Sequence, residues 1–219
     1  MRTAKTVLTV IQERGKQKKP IERVYKLLFN RELYLNAYAK LYPNNGAMTK
    51  GVTDETVDGM SIQKIDRMIE ILREDQWKPA RREYIKKKNG KKRPLGIPVW
   101  GDKVLQEVMR QILEAYYEPQ FSEHSHGFRP NRGCHTALQE IQVWKGTRWF
   151  IEGDISQYFD TIDHKILLEI LARNIHDGRF IRLVSNMLEA GYLEEWKFNQ
   201  TISGVPQGGV ISPILANIY

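Results

Sequence analysis

Apolar residues recur at helical spacing along most of the chain and at strand spacing in only a few places. A short helical candidate lies within residues 1–20 and runs into a basic linker, GKQKKP. From Ile21 to Tyr42 the positions Ile21, Val24, Tyr25, Leu28, Leu35, Tyr38, Leu41 and Tyr42 predict one amphipathic helix, ended by Pro43. GVTDETVDG reads as an irregular loop. Ser61 then stands where it would cap a helix whose inner face is Ile62, Ile65, Ile69 and Leu72. The strongest amphipathic block is Asp102–Tyr117, with Val104, Leu105, Val108, Met109, Ile112, Leu113 and Tyr116 inward and Pro119 as the stop. Cys134 to Trp144 predicts another helix, burying Ala137, Leu138 and Ile141. Two more follow around HDGR, at Ile166–Leu171 and Phe180–Leu188. Ser212-Pro213 reads as a cap with proline in the first turn of a last helix. Only six residues follow Pro213. A helix that short is marginal alone, so the chain reads as cut inside an element.

Strand signals are fewer. Asn89-Gly90 between two basic arms predicts a tight hairpin, and GYLEEWKFNQTIS predicts a second. Trp149, Phe150 and Ile151 are bulky β-formers that predict a strand with Asp154 at its C-terminal end. Asp163, ahead of HKILLEIL, reads as an N-cap. Gly204, Gly208 and Gly209 around Pro206-Gln207 suit a backbone that approaches another segment closely.

Charge adds a partner to this picture. The 219 residues carry 34 Lys+Arg against 26 Asp+Glu, a net +8, which favours a polyanion. The excess is local: Arg81 to Arg93 holds eight bases and one acid, whereas Ile151 to the end holds nine acids and five bases. Basic residues in one part and potential metal ligands in another suit a nucleic-acid enzyme. The crowded hairpin repels itself unless a triphosphate or nucleic-acid backbone lies against it. A charged edge hairpin kept soluble by lysine is the plainer alternative. The single cysteine, Cys134, excludes an intrachain disulfide and a cysteine-rich zinc site, which fits a reducing, intracellular compartment. The N-terminus lacks the apolar run of a signal peptide, and no stretch approaches the ~18 apolar residues of a spanning helix; the expectation is a soluble protein.

Candidate chemistry centres on WFIEGDISQYFDTID. A carboxylate leaving a strand suits a Mg²⁺ site, because Mg²⁺ takes hard oxygen ligands and few of them. In the loop SEHSHGFRPNRG, Arg129 and Arg132 are candidate contacts to backbone phosphates. His124 and His126 are spaced as metal ligands, but with no third ligand evident a loop or core role is expected.

Four segments, RPLGIPVWGDKVLQEVMRQILEAYYEPQF, SHGFRPNRG, GDISQYFDTIDH and GVPQGGVISPILANIY, together resemble the reverse-transcriptase domain of group II intron-encoded proteins. The likeness covers most of the chain from Lys78 onward. It implies an α+β, right-hand polymerase fold, helix-rich with small antiparallel sheets, divided into an N-terminal extension (1–45), fingers (46–148) and a partial palm (149–219). It implies an RNA-directed DNA polymerase that also assists splicing of its intron, with intron RNA, an RNA template with DNA primer, and dNTP as partners. A homodimer is compatible with it, and the location would be the bacterial cytoplasm or an organelle. By resemblance, Asp154 is the first palm carboxylate, with the Ile155 carbonyl near the Mg²⁺. Phe159 lies under the incoming sugar, Lys87 and Arg93 hold the triphosphate, and Gln207 lines the nucleotide pocket. Arg129 falls in a motif of the template path. Lys86, Lys88, Lys91, Lys92 and Arg132 are the further nucleic-acid candidates. The family's Tyr-Ala-Asp-Asp-like hairpin, which carries its other carboxylates, does not occur in the 219 residues. The chain is therefore expected to be inactive alone. The alternative is a non-catalytic module that binds intron RNA.

Overall fold

The computed structural model describes residues 2–74, 77–86, 90, 92–205 and 208–219. Its centre is the helix α5 (Trp100–Tyr117), one helix as the periodicity requires. Val104, Val108, Met109, Ile112, Leu113 and Tyr116 on it are completely buried. The same helix also buries Lys103, Gln106 and Glu107, and each has a partner. The Lys103 ammonium donates to Gly46 O (3.0 Å) and Thr49 O (2.8 Å), pinning the loop around residues 46–49. Glu107 holds Arg110 at 2.7 Å, and Gln106 Oε1 accepts from Val210 N at 2.9 Å. Buried polar groups without such partners would cost stability.

The N-terminal third packs on that helix. α1 (Ala4–Lys16) is capped by Thr3, and α4 (Ile62–Ile71) by Ser61, whose Oγ accepts from Lys64 N. The helix expected over Ile21–Tyr42 is broken. Ile21–Glu22 forms β1, Arg23 takes a left-handed φ of 54°, and α2 (Val24–Leu27) and α3 (Arg31–Leu41) follow. Two local partners favour the break. β1 pairs in parallel with β4 (Ile175–His176), and Asn30 Oδ1 accepts from Glu32 N at 3.0 Å to start α3 afresh. Most of the Tyr/Leu stripe is core, as expected, although Leu35 and Tyr42 stay exposed.

A four-stranded sheet is laid beside this helical body in the order β3-β2-β5-β6. β2 (Ala80–Lys86) and β3 (Lys92–Ile97) are the two arms flanking Asn89-Gly90, antiparallel from Arg81↔Ile97 to Lys86↔Lys92. β5 (Tyr192–Glu194) and β6 (Lys197–Asn199) form the second hairpin, turning at Glu195 and Trp196, both at positive φ. β5 joins β2 in parallel, so the sheet is mixed where purely antiparallel sheets were expected.

The remaining helices are α6 (Cys134–Gln142), α7 (Tyr158–Thr161), α8 (His164–Asn174), α9 (Gly178–Glu189) and α10 (Ser212–Ile218). Asp163 caps α8 by accepting from Ile166 N at 3.0 Å, as its position predicts. α10 starts one residue earlier than expected, with Ile211 as N-cap and Ser212 already inside and buried. Two expectations fail together. Trp149, Phe150 and Ile151 form no strand and are 88, 68 and 94 % exposed. The face of α6 that should be buried also lies open, with Leu138 and Ile141 exposed. A strand needs ladder partners and an apolar helix face needs a covering layer. Among the described residues neither segment has them. One core nevertheless runs from Ala4 to Ala216.

Candidate nucleotide and nucleic-acid site

The described structure brings three segments distant in sequence to one place. The turn after β6 is bonded to α7 and its C-terminal neighbour: Gly204 N donates to Ile162 O and Val205 N to Phe159 O, both at 2.8 Å. His164 Nε2 donates to Gly204 O at 2.7 Å. Gly204 has φ +84°, and a Cβ there would sit 2.8 Å from Asp160 O. Gly208, at φ +104°, presses on the third segment, since its Cβ would meet Gly96 O and Leu95 of β3 at 2.7 Å. Only glycine fits either position, so the close approach predicted for this loop holds at these two residues. Phe159 lies half-buried at the junction, edge-on to Phe128 and Tyr158, with ring centroids 6.0 Å away in each case. Asn217 on α10 donates to Gly127 O at 2.9 Å and holds the Phe128 loop beside it.

Strand register sorts the basic hairpin into two faces, because side chains alternate along a strand. Arg93 pairs with Ile85, and Leu95 with Glu83, so Arg93 shares the face on which Leu95 meets Gly208. Lys86 and Lys92 pair with each other and project to the opposite face. Lys87, Lys88, Lys91 and Gln207 lie outside the described residues. The two-face division was readable from the alternation on either side of Asn89-Gly90. The sequence reading treated the lysines together and missed Arg82 and Tyr192, which share the Lys86 face.

Arg129 requires a correction. Its side chain is 4 % exposed and its donors are committed inside the protein. Nε lies 3.1 Å from both Glu118 oxygens, Nη2 is 2.9 Å from Oε1, and Nη1 donates to Ser122 O (2.6 Å) and Ser125 O (2.8 Å). With the fork so occupied, Arg129 shapes the SHGFRPNRG loop and offers no donor to a phosphate. Arg132 is half-buried and donates to Glu123 O. His124 and His126 both face Glu140, whose carboxyl is held below its usual range by hydrogen bonds from His126 and then His124. They serve the loop, as expected.

Asp154 and Ile155 are exposed, on the segment that forms no strand. The Asp163 carboxylate is used at the α8 cap. Among the described residues no group of three or more His, Cys, Asp or Glu is placed to hold a metal ion. These residues alone do not fit a two-metal centre, which needs several carboxylates converging on ions roughly 3.5–4 Å apart.

Comparison with known proteins places the chain in a family. The family described as "Reverse transcriptase (RNA-dependent DNA polymerase)" matches residues 85–219. The group II intron-encoded protein LtrA of Lactococcus lactis subsp. cremoris is 51 % identical over 201 residues, covering 90 % of this chain and 34 % of that protein. An uncharacterized 91 kDa protein in the cob intron of Schizosaccharomyces pombe is 47 % identical over 226 residues, covering 99 % and 28 %. The chain thus spans about a third of the length of these relatives. Among solved structures, the "Partial Cas6-RT-Cas1--Cas2 complex" aligns at a TM-score of 0.53 and 19 % identity, over 87 % of this chain and 32 % of that one. That likeness speaks to the fold alone.

Proposed function

Because the chain belongs to the reverse-transcriptase family, we propose that it is the fingers (46–148) and front palm (149–219), with an N-terminal extension (1–45), of a group II intron-encoded RNA-directed DNA polymerase. The whole protein would extend a DNA primer on an RNA template and assist its intron's splicing. The observation that carries this reading is the junction of β3, the Phe159 turn and the Gly204–Gly208 loop. In-line phosphoryl transfer needs the nucleotide held more than it needs covalent help. Arg93, with Lys87 from the same hairpin, holds the triphosphate. Phe159 packs under the sugar and excludes a 2′-hydroxyl. Gln207, next to Gly208 in sequence, is assigned to the nucleotide pocket by the family resemblance.

A divalent ion, Mg²⁺ by chemistry, would supply charge stabilisation at the reacting phosphate. Asp154 and the Ile155 carbonyl are candidate ligands for it, and the described residues do not complete the set. For this stretch alone, that incomplete set favours a second reading, an RNA-binding module without polymerase activity. No helix among the described residues is long and apolar enough to cross a membrane. We place the whole protein in the bacterial cytoplasm or an organelle, either alone or as a homodimer. The test is primer extension by a longer protein carrying the missing carboxylates. Asp154→Asn there should abolish extension while RNA binding stays nearly intact. Undiminished extension by Asp154→Asn would overturn the assignment.

A further inference from the structure

The face of the sheet turned away from Arg93 is not a bare lysine edge. Register places Ala80, Arg82, Tyr84 and Lys86 of β2 on it, with Lys92, Pro94 and Gly96 of β3 and Tyr192 and Glu194 of β5. The Arg82 guanidinium lies over the Tyr192 ring, its Cζ 3.4 Å from the centroid. Its Nε is buried and has no hydrogen-bond partner. Tyr84 comes next along the strand, its hydroxyl donating to Glu194 Oε1 at 2.5 Å. That bond raises the phenol above its usual range, while Arg82 beside it pulls the other way. Lys92 stands 5.9 Å over the Tyr84 ring, and Lys86 pairs with Lys92 at the end of the ladder.

A cleft of about 340 Å³ opens at the Arg82 end, between this face and the Gln200–Val205 loop, with Asp160 on the far wall. Small-molecule sites fall at about 300–1,000 Å³. The Arg82 guanidinium on the cleft wall offers a planar surface against which an uncharged base can stack. Glu194, the acid on this face, is engaged by Tyr84. Beyond the cleft the charged groups are the cations Lys86 and Lys92, which suit the backbone of the same strand.

We propose that this face is a second RNA site, distinct from the nucleotide pocket, that takes unpaired nucleotides. One base enters the cleft and stacks on the Arg82 guanidinium, which Tyr192 supports from behind. The next base stacks on Tyr84, and Lys86 and Lys92 neutralise the phosphates between and beyond them. Stacking on aromatic and guanidinium planes is how proteins take single-stranded RNA. The inference rests on the proposed nucleic-acid partnership, but on the opposite face from the pocket that defines it.

The test is fluorescence anisotropy of a labelled 12-nucleotide single-stranded RNA, and of the same sequence as a duplex, with this 219-residue chain. Tyr84→Ala should weaken single-strand binding roughly 5- to 160-fold, the range for removing one base-stacking ring, and leave duplex binding unchanged. Arg82→Lys keeps the charge and loses the plane, so it should cost nearly as much. Lys86→Gln with Lys92→Gln should flatten the salt dependence of single-strand binding by about 0.7 per lost phosphate contact. Lys5→Gln, on the exposed side of α1, should change none of these values. If Arg82→Lys fails to fold, Tyr84 is exposed enough (45 %) for its variant to decide alone. Equal losses on duplex and single strand, or no loss at Tyr84, would overturn the proposal. Because nothing in this assay requires polymerisation, failure of the polymerase reading and failure of this site are separable.

Discussion

Replacing Arg129 separates a residue that shapes a loop from one that touches nucleic acid. Its guanidinium binds the Glu118 carboxylate through two nitrogens and the carbonyls of Ser122 and Ser125 through the third. Removing one member of a buried charged pair costs about 3–5 kcal/mol. The Glu118 side chain is 24 % exposed and can recover some hydration, so about 2–4 kcal/mol is expected for Arg129→Ala. At about 2–4 °C per kcal/mol for a chain of this size, the midpoint should fall by roughly 5–15 °C. Arg129→Lys should recover only part of the loss, because an ammonium cannot span Glu118 and two carbonyls at once. The assay is thermal unfolding followed by circular dichroism, with RNA affinity measured well below the transition. RNA affinity per folded molecule should be unchanged. Wild-type stability with weakened RNA binding and a shallower salt slope would refute the argument and return Arg129 to the phosphate contacts.

Other predictions follow from the same contacts. Gly204→Ala forces a left-handed residue against Asp160 O and should destabilise by about 2–4 kcal/mol, whereas Gly178→Ala, with open space around it, should be neutral or stabilising, both read from urea midpoints at constant slope. Burial pushes the Asp102 carboxyl up to about 7, against a hydrogen bond from Lys78 N. A folded pKa above the unfolded one favours folding fully below about pH 4 and loses that contribution as pH rises to about 7. Asp102→Asn should therefore remove a fall in stability across that window, and an unchanged pH profile would contradict it.

The helices were legible in the sequence wherever period and cap agreed: α5 from its apolar stripe, α4 and α8 from Ser61 and Asp163. The Ile21–Tyr42 region misled because β1 and the Asn30 cap depend on a strand more than a hundred residues away and on a local bond that periodicity does not register. The mixed sheet was equally hidden, since the β2–β5 pairing joins residues 80–81 to 192–193. Arg129 shows the limit of motif reading. An arginine in a basic loop looks like a phosphate ligand until Glu118, eleven residues earlier, is found against it. The Trp149–Ile151 strand had the right composition, but strand formation is a property of a ladder, and none of the described residues supplies one.

The most direct test of the central claim is sugar selection at Phe159 in a longer protein that extends primers. Phe159 packs between Phe128 and Tyr158, so Phe159→Ala will cost some stability whatever its role. The reading is therefore the ratio of kcat/KM for ribonucleotide to deoxyribonucleotide, in which general damage cancels. A wall that excludes the 2′-hydroxyl by shape loses that discrimination when it is removed. The account predicts that the ratio rises toward ribonucleotides. An unchanged ratio in a folded, active variant would contradict it and leave Phe159 as packing alone.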